Sequence, residues 1–209
     1  MRFVSLLAAL AVTTAHVRAD DWSQWLGPKR DAVWAEKGLA TEFPKDGPKV
    51  LWRKPIAAGY AGPAVVGTKV YITDRVAAVI DPKNPPPKGT LPGNERVHCL
   101  NAADGKTLWT HTYDCTYTNV SYPSGPRTTP IVEGDRLYTL GTMGDLLCLN
   151  TADGTVVWSK NFVKDYAAPV PAWGWSAHLL LDGDTLVSLV GGEGQAVVAF
   201  DKKTGKEKW

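Results

Sequence analysis

The segment CLNAADGKTLW begins at Cys99 and CLNTADGTVVW at Cys148, so an apolar strand, a Gly turn and a second strand recur at an offset of 49 residues. A third copy, AFDKKTGKEKW, runs from Ala199 to Trp209, and its Trp stands 51 residues beyond Trp158. The preceding halves repeat as well, as PAVVGTKVYI from Pro63, PIVEGDRLYTL from Pro130 and LLLDGDTLVSL from Leu179. A chain that repeats one unit of about 50 residues stacks that unit on itself, because a single copy cannot bury its own apolar faces.

The unit reads as four strands, around Thr128–Val132, Arg136–Leu140, Leu146–Asn150 and Thr155–Lys160, joined by EGD, GTMGD and TADG. Asp153-Gly154 supplies the residue tolerant of positive φ that a tight hairpin needs. Between Val50 and Trp209 no helical period is sustained, while β-branched and aromatic runs alternate with Gly, Asp and Pro. Four antiparallel strands per repeat predict an all-β propeller of four-stranded blades. Trp52, Trp109, Trp158 and Trp209 hold equivalent places and are expected to dock on neighbouring blades at the turn glycines Gly105, Gly154 and Gly205. Trp52 precedes Trp109 by 57 residues; the extra length is the Pro-rich insertion 81–93, DPKNPPPKGTLPG, a surface excursion because proline cannot sit in a central strand.

AFDKKTGKEKW resembles the tryptophan-docking repeats of PQQ-like β-propellers. The opening DWSQWLGPKRDAVW and the later GYAGPAVVGTKVYITD are similar to the amino-terminal part of secreted PQQ-like repeat proteins of planctomycete-type bacteria. The resemblance implies a ring of seven or eight blades, of which residues 50–209 supply about three and a contributed strand, the remaining blades coming from a carboxyl-terminal part. Family members include quinoprotein dehydrogenases, in which PQQ sits near the axis with calcium beside a disulfide of adjacent cysteines. They also include the periplasmic scaffold of outer-membrane β-barrel assembly. Cys99, Cys115 and Cys148 contain no adjacent pair, so the resemblance favours a noncatalytic scaffold or binding module without a cofactor. The alternatives are a PQQ-dependent dehydrogenase completed by a missing part, and an assembly factor.

Arg2, the apolar run FVSLLAALAV and VRA predict a signal peptide over 1–19, cleaved after Ala19, and hence a periplasmic or extracellular protein. Residues 20–49, with Trp22, Trp25 and Trp34, read as an amino-terminal arm or lid. Loss of Arg2 and Arg18 leaves 21 basic against 21 acidic residues, which excludes the basic surface that nucleic acid or an anionic membrane requires. The mature chain carries no integral membrane segment.

Cys99 and Cys148 occupy matching strand positions and are expected to be buried thiols, while Cys115 reads as an ordinary loop thiol. The histidines have no metal-cluster spacing, and Asp182 and Asp184 read as a solvated hairpin turn. The remaining candidates lie in the segments that lead into each blade, AAGYAGP, TNVSYPSGP and PVPAWGWSAH. Tyr60, Tyr122, Trp173 and Trp175 are expected to form a rim that presents rigid aromatic surface to an exported protein or a glycan.

Overall fold

The computed structural model describes residues 19–209; the signal-peptide expectation lies outside the described residues apart from Ala19. Thirteen strands follow in order: β1 (Ala64–Val66), β2 (Lys69–Ala77), β3 (Thr90–Leu91), β4 (Gly93–Asn101), β5 (Thr107–Asp114), β6 (Tyr117–Thr118), β7 (Ile131–Glu133), β8 (Arg136–Leu140), β9 (Asp145–Asn150), β10 (Val156–Asn161), β11 (Leu180–Asp182), β12 (Thr185–Gly192) and β13 (Gln195–Asp201). They form antiparallel sheets β1-β2-β4-β5, β7-β8-β9-β10 and β11-β12-β13, with β3 and β6 as a small added pair. The structure is therefore an all-β stack of blades, consistent with part of a propeller.

The burial patterns follow from the stacking. β8 and β9 are buried almost continuously because neighbouring sheets cover both their faces, whereas outer β5 and β10 alternate. Register aligns the rows Ala64–Tyr71–Cys99–Trp109 and Ile131–Tyr138–Cys148–Trp158 across the first two sheets. The first row packs with Val132, Leu137, Leu147 and Leu149 of the second sheet. The second packs with Leu186, Val190, Val198 and Phe200 of the third. In the third sheet Leu180, Val187 and Ala199 occupy the same row, extended by Trp209, whose carbonyl accepts from the Ala199 amide at 2.8 Å. Trp209 is 64% exposed, against 9% for Trp109 and Trp158.

Among the described residues the third sheet has three strands, and 207–209 lie along β13 through the Phe200–Glu207 bridge and the Lys208 N–Ala199 O bond at 2.8 Å. The turn at Asp153-Gly154 is also longer than a two-residue hairpin: Asn150 Oδ1 accepts from Ala152 N and the Gly154 amide donates to Asn150 O, closing an Asx loop. One element escaped the strand reading, the helix α1 (Phe162–Tyr166), capped by Asn161 Oδ1 accepting from Lys164 N at 3.0 Å. Five residues make too few turns to show a period. Phe162 nonetheless enters the core between Trp175 and Phe200.

Candidate aromatic groove and the polar network behind it

Each lead-in segment connects the outer edge of one sheet with the inner strand of the next. Tyr60 precedes β1 by four residues, Arg127 precedes β7 by four and Ser176 precedes β11 by four, so three successive segments meet at one end of the inner strands. There Tyr60, Tyr122, Arg127, Trp173 and Ser176 line one open groove of about 380 Å³. Tyr122 and Trp173 meet edge to face at 6.3 Å, and the Arg127 guanidinium lies 5.2 Å from the Tyr60 ring centroid.

Trp175 does not join the rim. It is 3% exposed, packs edge to face on Phe162 and donates from Nε1 to Val190 O at 3.0 Å. Alternate residues of an extended strand share a face, but Gly174 has a φ of 64°, and this left-handed step sends Trp173 outward and Trp175 into the core. The absence of a Cβ also lets Gly174 approach Thr142, whose Cγ2 would stand 2.5 Å from one.

Arg127, unnoticed in the sequence, organises the groove. Its Nη1 donates to Gly125 O at 2.7 Å and Thr142 Oγ1 at 3.2 Å, and its Nη2 to Ser121 O at 2.9 Å and Tyr122 O at 2.6 Å. These bonds hold Tyr122 at a φ of 54°, a conformation that costs a non-glycine residue about 1–2 kcal/mol. The Ser121 amide also donates to Ala172 O at 2.7 Å, tying the second lead-in segment to the third. A lone Arg in the Pro/Gly-rich SGPRTTP was the available signal.

Behind Arg127, Thr142 Oγ1 and Tyr117 Oη lie 2.7 Å apart, and Tyr117 donates to the buried Glu95. Glu95 Oε1 also accepts from Thr142 N at 3.1 Å, and its Oε2 from Tyr113 Oη at 2.5 Å. Burial, then the Glu95 charge, pushes the Tyr113 and Tyr117 hydroxyls well above their ordinary value. Arg75 faces Glu95 across β2 and β4, stacks 4.1 Å over Tyr117 and binds Leu91 O at 2.6 Å, fixing the end of the Pro-rich excursion.

A second buried carboxylate, Asp74, takes a two-point bond from Arg96 at 2.8 and 2.6 Å, a contact from His98 Nε2 at 3.0 Å and the Ala57 amide at 2.7 Å. Burial alone would raise its pKa, but these donors outweigh burial and hold it far below the usual carboxylate range. Asp74 and Glu95 thus both have their carboxylate oxygens filled by protein donors. Cys115 lies in the connection between β5 and β6, as expected of a loop thiol, but it is only 3% exposed, with its Sγ 4.0 Å from Asp145 Oδ2 of the second sheet; Cys99 and Cys148 are fully buried.

Three tryptophans dock on the following sheet. Trp52, Trp109 and Trp158 donate from Nε1 to Ala102 O, Thr151 O and Lys202 O at 2.8, 3.1 and 3.0 Å. A Cβ on Gly105, Gly154 or Gly205 would stand 2.5, 2.5 and 2.6 Å from the respective rings.

No curated protein matches the chain. Among solved structures, the quinohemoprotein alcohol dehydrogenase ADHIIG of Pseudomonas putida HK5 is similar at a TM-score of 0.50 and 19% identity, over 77% of this chain and 22% of that one. BamB from Moraxella catarrhalis is similar at a TM-score of 0.39 and 22% identity, over 62% and 35%. A europium-containing methanol dehydrogenase gives a TM-score of 0.45 and 18% identity, over 74% and 25%. The chain spans between 22% and 35% of the length of these three, and the likeness at such identities concerns the fold. The sequence profile of the family described as "Outer membrane protein assembly factor BamB" matches residues 93–209, more than half of the chain. The chain therefore belongs to this BamB-type family of PQQ-like β-propellers, and it shares their fold with the quinohemoprotein alcohol dehydrogenase.

Proposed function

We propose that the chain is part of a noncatalytic propeller that holds other proteins during assembly in the cell envelope, as the family description suggests, and that it needs no cofactor for this. An extracytoplasmic location, typical of BamB and of quinoprotein dehydrogenases, goes with the family. Among the described residues no helix is long and apolar enough to cross a membrane. The observation that carries the reading is the meeting of three lead-in segments in one aromatic groove.

The polypeptide reading follows the family description. The two terminal nitrogens of Arg127 are already engaged by main-chain and hydroxyl oxygens, so the polar groups the lining offers a ligand are the Tyr60, Tyr122 and Ser176 hydroxyls and the Trp173 indole N–H. Tyr122 and Trp173 stand 69% and 63% exposed and offer flat apolar area at little conformational cost. Calorimetric titration with aromatic-rich decapeptides and with oligosaccharides tests the preference. Peptide binding that weakens at least tenfold in both Tyr122→Ala and Trp173→Ala supports it; saccharide binding, or peptide binding indifferent to both changes, refutes it.

A further inference from the structure

The segment Asp21–Arg30 lies across the inner edges of all three sheets. Trp22 forms an antiparallel bridge with Val65 of β1, its amide donating to Val65 O at 2.8 Å and the Val65 amide returning to Trp22 O at 2.9 Å. The Val132 amide of β7 donates to Ser23 O at 2.9 Å. Arg30 Nη1 reaches Leu179 O, just before β11, at 2.7 Å, and Trp25 stacks on His178 at 4.3 Å and 5°. β1 and β7 are terminal strands of their sheets, so without this segment Val65 N and O and the Val132 amide would be open edge groups.

The segment fills these edges imperfectly. Trp22 and Val65 form its one strand-like pair, after which the chain coils through Leu26, Gly27, Arg30 and Ala32 at φ values of 64°, 78°, 57° and 58°. Three of these four are not glycine, and each left-handed step costs such a residue about 1–2 kcal/mol. Trp25 and Trp34 remain 42% and 57% exposed. The groove opens at the start of the same strands: Ser176 in its lining and His178 beneath Trp25 are two residues apart.

We infer that the inner edges of β1 and β7 accept an extended segment of a partner polypeptide by strand addition, and that the amino-terminal arm fills this site in cis until the partner displaces it. The inference rests on the protein-binding reading above, and its test is separable from it. The probe is a fluorescent peptide of the arm itself, Asp20–Asp31, added in trans to the whole chain. Gly27→Ala loosens the arm, because the new Cβ would stand 2.8 Å from the Trp22 ring at a φ of 78°, and it leaves the sheets untouched. Paired cysteines at Trp22→Cys and Val65→Cys pin the arm, since facing hydrogen-bonded residues lie about 5.5 Å apart, within disulfide reach.

Peptide affinity is expected to rise at least tenfold in Gly27→Ala, to vanish in the oxidised pinned chain and to return on reduction. In the loosened variant the Val65 and Val132 amides should exchange faster without peptide and slow again with it, which a fold defect would not reproduce. Trp173→Ala should leave peptide affinity unchanged while it weakens the groove's own ligands. Equal affinity in the pinned and loosened chains, or bound peptide that leaves exchange at Val65 and Val132 unaltered, overturns the inference.

Discussion

The ring of Trp109 lies over Gly154 so closely that a Cβ there would stand 2.5 Å from the ring carbon Cε3. The same Trp donates to Thr151 O, and the two contacts fasten the first sheet to the turn of the second. Trp109→Ala is expected to lower stability by about 3–5 kcal/mol. Gly154→Ala should cost at least about 2 kcal/mol through its φ of 75° and the overlap. Because both changes break one contact, urea denaturation of the double variant should show less than the sum of the two losses.

The three thiols should be silent in the native chain. Cys99, Cys115 and Cys148 are at most 3% exposed, and burial pushes Cys148 up to about 11 and raises the other two. Native protein at pH 8 should react with less than one equivalent of a thiol reagent in an hour, and unfolded protein with three. Prompt labelling of Cys115 would show that the second sheet around Asp145 does not cover it.

The repeat was legible because spacing is written directly in the chain: the strands near Arg136–Leu140 and Leu146–Asn150 match β8 and β9 to within a residue. The divergent fates of Trp173 and Trp175 were not legible, since they turn on the backbone of Gly174. Glu95, Tyr117, Thr142 and Arg127 were hidden for another reason. They belong to two sheets and their connecting segments, and only packing makes them neighbours.

Asp74 should shape the acid limb of stability. Its folded pKa is depressed, so its contribution is present above an unfolded value of about 3.9 and is lost as pH falls below it. Asp74→Asn is expected to cost roughly 3 kcal/mol at neutral pH by leaving Arg96 without its two-point acceptor, and to flatten the profile between pH 4 and pH 2. An unchanged acid limb measured by denaturant midpoints would contradict this role.

His178 predicts a second slope. Burial, then the Arg30 charge, holds its imidazole below the ordinary value, and burial does the same to His111. Stability from these groups is complete above an unfolded value of about 6.5 and declines as pH falls through it toward the folded values. Protonation also removes the Nδ1 lone pair that accepts from Thr129 N at 3.2 Å. The denaturant midpoint should be lower at pH 5 than at pH 7.5, with part of that slope absent in His178→Gln.

The most direct test of the binding account is photocrosslinking in the native envelope, with a benzophenone side chain at position 173 and a second at Val157 on the outer strand β10. Discrete protein adducts are expected from position 173, reduced by Tyr122→Ala, and few from position 157. Equal adduct yields from both positions, or adducts with carbohydrate alone, would contradict it.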